Sequence, residues 1–478
     1  MKMKWSPRRS KLVLSGFLLV GLLSGGGWAC GGEGDNRAQE PREQRPAGPV
    51  DDTPPVETLA ECGAFEGGDD LRVCTATYLG DEGEVVSVAI AANGEVILGR
   101  NAPTARLEIY APTGSELRRA VELEGRLVAM AADGSTDQVA LVVEREGLEV
   151  IVKDLAGEEV FRRQVPAGIS AVAYDRGLIA LLAGEEVTIW GEAGEELEEL
   201  GRVELAGRAL RDVAVHGELE LIYVTGFRQV SGNLQQPFLM AYSPRGERQW
   251  TNWDWSEEEA GQWSSDTRGT AVGIGRDRKL YYVGESHGGV TTHFRDPRDI
   301  AEEAPILRRD PYSQSHNWNG AAPLGFVARL DPSTGEMEGG QLLAVRLSDG
   351  RGNGVSPRFV TATEEGVILL GGSSACCIER WDEKTVAGQA AMPGYGGGQW
   401  AMALSPEFDE RYFWTTFHGG APGVQLQGLD ARGPVMVVAH NQRGEEGAAI
   451  EVPMITSQAL HHEPAGSSAG HLVIFPAP

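Results

Sequence analysis

Apolar residues recur along the chain in pairs of short runs joined by a tight turn. The run Val86 to Ala91 passes through Asn93-Gly94 into Val96 to Gly99. The same cadence returns at Asp133-Gly134, Arg176-Gly177, His216-Gly217, Arg276-Asp277, Glu365-Gly366 and Arg432-Gly433. Alternating apolar and polar residues in several runs mark half-buried strands, and the turns mark hairpins. A second hairpin follows the first in each unit. It begins with Leu107 to Tyr110, the turn Pro112-Thr113-Gly114 and Leu117 to Leu123, and recurs around Val150 to Val160, Val187 to Leu197, Phe238 to Trp250, Phe326 to Met337 and Trp400 to Trp414. Four antiparallel strands make one blade, so the pattern predicts an all-β, seven-bladed β-propeller over residues 61–478.

The seventh unit runs short. Leu426 to Ala439 supplies a hairpin and Leu472 to Phe475 a third strand, after which the sequence ends. Thr75 to Leu79, ahead of the first blade, has no other partner and is expected to complete the last sheet. The ring would then close by pairing N- and C-terminal strands, which leaves no exposed edge to template aggregation.

Several segments carry a family resemblance. Thr77-Tyr78-Leu79-Gly80, Leu221-Ile222-Tyr223-Val224-Thr225-Gly226, Ala403-Leu404-Ser405-Pro406 and Thr415-Thr416-Phe417-His418-Gly419-Gly420 resemble the bacterial seven-bladed β-propeller repeat. So does Val452-Pro453-Met454-Ile455-Thr456-Ser457-Gln458-Ala459-Leu460, followed by His471-Leu472-Val473-Ile474-Phe475. The resemblance spans residues 75–478 and is strongest in blades four to seven. It implies an exported propeller and brings no agreed activity, so no catalytic residue comes with it.

The N-terminus agrees with export. Lys2, Lys4, Arg8, Arg9 and Lys11 precede the apolar run Leu12 to Leu23, which has signal-peptide length and is too short for a stop-transfer helix. Ala29, Cys30 and Gly31-Gly32 resemble the lipobox of bacterial lipoproteins, with Gly27 where that family prefers Leu. The resemblance implies cleavage after residue 29 and lipidation of Cys30. Gly31 in place of Asp lacks that family's inner-membrane retention cue, which favours the outer membrane, on its periplasmic or surface side. Residues 30–60 are Pro, Gly and charge with almost no large apolar side chain, and are expected to form a flexible tether. A coil of about thirty residues reaches roughly 30 Å from the lipid.

The formal charge is −27, and removing the leader strips five more basic residues and no acidic ones. Such a surface excludes nucleic acid as a partner and favours solubility. Five cysteines occur. With Cys30 taken by lipid, Cys62 with Cys74 and the adjacent Cys376 and Cys377 are expected to form disulfides in an exported chain. A four-thiol metal site lacks paired C-x-x-C spacing, and no metal or cofactor is assigned.

In a four-stranded meander, the connections after the second and fourth strands lie on one face and the turns after the first and third on the other. The long insertions Phe227 to Gln236, Glu285 to Leu324, Ser373 to Gln399 and His440 to Gly470, with the connection Thr251 to Thr267, all fall on the first face in blades four to seven. Blades one to three are nearly bare. Long ordered loops in a compact fold are uncommon unless they bind or cover something.

Those insertions hold the candidate chemistry. Trp253, Trp255, Trp318 and Trp381 suit stacking against a sugar ring or a cation, or capping of the blade edges. His287, His293, Arg295, Asp296, Tyr312 and His316 suit pairing with an anion, or a salt-bridged lid. Cys376-Cys377 can form a vicinal disulfide that staples its loop and presents an apolar plate. Gly284-Glu285-Ser286-His287-Gly288 matches G-x-S-x-G, yet that nucleophile elbow needs a strand-to-helix turn, which a propeller loop does not offer. Leu330-Asp331-Pro332-Ser333-Thr334-Gly335 and Gly246 to Trp250 resemble pyrroloquinoline-quinone propeller repeats, but the other blades do not sustain that pattern. The expected function is a lipid-anchored, monomeric binding or scaffolding module for a glycan or protein. The alternative is an enzyme on the same face, either a glycan lyase or hydrolase or a quinoprotein.

Overall fold

The computed structural model describes Phe65 and residues 70–478 apart from 194–195, 233, 289–290, 310–322, 348–351, 377, 392–396, 418–422, 444–454 and 465. The expected leader, the tether, Cys30 and Cys62 lie outside these residues. No helix among the described residues is long and apolar enough to cross a membrane.

The described chain is a β-propeller. Seven sheets of four or five strands begin with the inner strands Glu84–Ile90, Arg126–Ala132, Ile169–Asp175, Arg208–His216, Asp266–Ile274, Val355–Ala362 and Val424–Arg432, which define blades one to seven. Each inner strand packs beside the inner strand of the next blade, and the last packs beside the first, so the ring is closed. All seven turns read from the sequence join an inner strand to the second strand of its blade.

The count of sheets departs from the expectation. Asp70–Leu71, Thr385–Val386 and Gln389–Ala390 form a further three-stranded sheet, so sheets of three or more strands number eight rather than seven among the described residues. This small sheet supplies no inner strand. It joins the leader of the domain to the blade-six insertion through a parallel pairing of Asp70 with Thr385, and the Asp70 carboxylate accepts from the Thr385 hydroxyl at 2.6 Å.

The last blade closes as its missing strand requires. Thr75–Glu82 lies antiparallel to Ser468–Pro476, with Thr75 opposite Ile474 and Tyr78 opposite His471. The second strands read as unbroken apolar runs because blades pack against both of their faces. In blade two, Val139, Ala140, Leu141, Val142 and Val143 are all fully buried.

A second regularity is hidden in the sequence. Every inner strand skips one residue in its ladder: Val86, Val128, Ser170, Arg211, Thr270, Arg358 and Gln427. In each blade the skip lies four or five paired residues from the short turn. A bulge leaves its residue out of the ladder and re-aims the side chain. These seven positions therefore stand at one level around the axis, towards the face that carries the long connections.

Candidate functional site

The connections after the second strands are built as follows. In blade four, Phe227 to Gln236 is no loop: the strands Leu221–Ser231 and Leu234–Tyr242 extend through it as a long hairpin. In blade five the insertion folds into the 3₁₀ turn Thr292–Phe294, the hairpin Arg295–Asp296 with Asp299–Glu303, and Ile306–Arg308. The connection from blade four to blade five carries a short helix, Glu257–Ala260, started by a Ser256/Glu259 capping box.

Many of the sequence-selected residues turn out to build these connections. Trp253 is 1% exposed, stacks on Tyr282 at 4.5 Å, and meets His293 and Phe326 edge-on. His293 is fully buried, stacks on Phe326 at 4.3 Å, and lies 3.1 Å from the Tyr282 hydroxyl through Nε2. Burial without a charged partner depresses its pKa to about 3, so the ring is neutral. Neither ring keeps a free face, which corrects the stacking and anion-pairing roles expected of them. The reason is that the blade-five insertion buries its own small core of aromatic residues.

Arg295 is also mostly buried. Its Nε donates to Ile300 O at 2.8 Å, a second donor reaches Ala301 O, and the guanidinium sits 4.9 Å from the Trp263 ring centre. It braces the hairpin from within. The Asp296 carboxylate accepts from Arg298 N at 2.9 Å, an Asx turn. Trp255 and Trp381 are half-buried against core clusters. His287 ends its strand half-buried, opposite Asp266 and Pro323. Cys74 and Cys376 are each disulfide-bonded. Their expected partners, Cys62 and Cys377, lie outside the described residues, as do Tyr312, His316 and Trp318. Ser286 of the G-x-S-x-G match is fully buried. Its hydroxyl lies 2.9 Å from that of Ser265 and 3.2 Å from that of Thr267, so it belongs to an internal hydroxyl cluster.

The structure assembles a group that the sequence did not single out. Arg211, Arg268 and Arg358, from the inner strands of blades four, five and six, gather around Glu285, which is 3% exposed. Glu285 receives Arg358 at 3.1 Å and Arg268 at 3.4 Å, and Arg268 also pairs with Asp266 at 3.1 Å. Arg211 lies 5.0 Å and Arg268 5.5 Å from the ring centre of Phe227, which the long blade-four hairpin carries. Arg211 makes no hydrogen bond or ion pair with any described residue. Partial loss of water, then Arg358 and Arg268, lower its pKa, and Glu285 offsets this in part. Linear sequence gives no sign of this group, since its members come from three separate strands. A blade-by-blade alignment shows part of it, because Arg211 and Arg358 occupy bulge positions that hold Val86 and Val128 in blades one and two, whereas Arg268 stands two residues before the blade-five bulge.

Along the axis the inner strands enclose a cavity of about 470 Å³. Its short-turn end is crossed by arginines that join blades not adjacent in the ring. Arg276 of blade five donates to Asp430 of blade seven at 2.8 Å and to Ile90 O of blade one at 3.1 Å. Arg278 of blade five reaches Asp175 of blade three at 2.6 Å and lies 3.0 Å from His216 Nδ1. Arg432 of blade seven donates to Gly134 O of blade two at 3.0 Å. Deeper in, Asp212 accepts from Val272 N at 3.0 Å, and burial pushes its carboxyl up to about 7.

Among the described residues no group of three or more His, Cys, Asp or Glu side chains is arranged to hold a metal ion. No protein-family model matches this chain, and no curated protein matches it in sequence. Among solved structures, it is similar to Kuenenia stuttgartiensis hydrazine synthase at 8% identity and a TM-score of 0.47, over 75% of this chain and 93% of that one.

Proposed function

We propose that this chain is an exported binding module, held to a membrane by a lipid on Cys30, that engages a glycan or protein ligand through the long-loop face of blades four to seven. One observation carries this reading. The short-turn mouth of the channel is crossed by Arg276, Arg278 and Arg432, while the long connections of blades four to seven leave their second strands at the opposite face. In blades five and seven they run on along the outer strands, Ile306–Arg308 beside Met337–Leu343 and Thr456 beside Ala76. Propellers place variable recognition loops on a rigid ring, so an open, elaborated rim is where a ligand gains contacts without distorting the fold.

A glycan array and a panel of candidate extracytoplasmic proteins, probed with the mature chain, test this. A charge-reversing pair on the long-loop rim, Arg211→Glu with Arg358→Glu, is expected to abolish capture, whereas Glu218→Lys on the short-turn face leaves it unchanged. Capture that ignores the first pair and responds to the second overturns the reading. Anchoring has its own check: labelled fatty acid should enter the intact chain and not Cys30→Ser.

A further inference from the structure

We infer that Arg211, Arg268 and Arg358 form a receptor for a carboxylate-bearing ligand at the long-loop mouth of the channel. This rests on the binding reading above and names the chemistry of its central contact.

The charge balance is local and specific. Three guanidiniums face two carboxylates, Glu285 and Asp266, in a protein whose formal charge is −27. Glu285 is shared between Arg268 and Arg358 and is 3% exposed, so it acts as an internal anchor that fixes two of the three arginines. Arg211 remains without a hydrogen-bonding partner among the described residues, and both Arg211 and Arg358 are exposed.

The geometry favours a planar oxyanion. Phe227 lies within 5.5 Å of the guanidinium carbons of Arg211 and Arg268. Arg268 spends its three nitrogens on Gln235, Glu285 and Asp266 and so positions the group, while Arg211 keeps its N–H edges for an acceptor. Arginine presents paired donors that match the two oxygens of a carboxylate. The bulges explain why the side chains are available: Arg211 and Arg358 are the residues their strands leave out of the ladder. Mutual repulsion among the three cations is relieved by an incoming anion.

Calorimetry at low ionic strength on the mature chain tests the assignment, with glucuronate, acetate and inorganic sulfate as probes and glucose as the neutral control. Saturable binding of glucuronate and acetate is expected, with none for glucose. Arg211→Gln should weaken binding about tenfold or more, since one charge-assisted contact contributes roughly that factor. Rising salt should weaken it.

Absence of saturable carboxylate binding, or binding that Arg211→Gln leaves unchanged while the variant melts like the parent, overturns the inference. Sulfate binding without carboxylate binding overturns the class of ligand. If a glycan or protein is still captured through the long-loop face while all the small anions fail, this inference falls and the binding reading survives. Silence in both experiments removes both.

Discussion

Asn441 holds both backbone groups of Val85: Val85 N donates to Asn441 Oδ1 at 2.6 Å, and Asn441 Nδ2 donates to Val85 O at 2.9 Å. Asn101 holds Leu127 in the same way, at 2.9 and 2.8 Å. The first pair joins blade seven to blade one and the second joins blade one to blade two. The closing joint of the ring is therefore chemically the same as an ordinary joint between consecutive blades, although its partners are 356 residues apart in sequence.

Removing that clasp strands a buried donor and a buried acceptor on Val85. Asn441→Ala should destabilise the fold by about 2–4 kcal/mol, the cost of two unsatisfied buried groups. Hydrogen exchange should quicken first in Thr75–Glu82 and Ser468–Pro476, where the ring would open. Asn101→Ala should cost a similar amount without that localised exchange. Thermal melting and exchange mass spectrometry read both, and equal exchange patterns in the two variants would contradict the closure role.

The cross-channel arginines should behave as partly buried ion pairs. Arg276 and Asp430 are both mostly buried, and Arg276→Gln leaves the Asp430 carboxylate with Ile90 N and the Thr361 hydroxyl as its inter-blade donors. A loss of about 1–3 kcal/mol in denaturant unfolding is expected. Arg276→Gln combined with Asp430→Asn should lose less than the sum of the single variants, which a double-mutant cycle measures.

Asp212 predicts a falling limb in the pH profile. Its folded pKa, about 7, lies above the ordinary carboxylate range, so between roughly pH 4 and 7 the folded state keeps a proton that the unfolded chain has released. Stability from this group is fully present below pH 4 and is lost as pH rises through 7. Asp212→Asn keeps an acceptor for Val272 N. It should come close to the parent near pH 4 and exceed it by about 4 kcal/mol near pH 8 in melting experiments.

His293 predicts the opposite slope. Its folded pKa is depressed to about 3, so the unfolded chain takes up a proton below about pH 6.5 that the folded state refuses. The contribution to stability is complete above pH 6.5 and declines as pH falls towards 3. His293→Phe keeps a ring against Phe326, and should reduce the loss of stability between about pH 7 and pH 5 by about 2 kcal/mol. An unchanged acid limb in that variant would assign the limb to other groups.

What could be read from residues was what is decided locally. Arg176-Gly177 reads as a hairpin turn because such turns need residues at positive φ, and both adopt it, at 51° and 75°. The closing strand Thr75–Glu82 was also legible, because a blade one strand short must find its partner elsewhere in the chain. The Phe227–Gln236 segment reads as an insertion because polar Gln229, Gln235 and Gln236 resemble a connection, whereas pairing across the hairpin extends both strands through them. Trp253 and His293 looked available because their insertion is rich in polar residues, and only folding brings Tyr282 and Phe326 against them.

The sequence by itself determined the all-β class, the repeating hairpins, the face on which the connections grow, and the strand that closes the ring. These follow from side-chain alternation, turn chemistry and chain order, which act over a few residues or by simple accounting of strands. Tertiary structure alone decided the eighth, smaller sheet, the burial of the blade-five aromatics, and the meeting of Arg211, Arg268 and Arg358 around Glu285. Each of those depends on where separate strands are set beside one another, and a ring brings residues from different blades to one axis however far apart they stand along the chain.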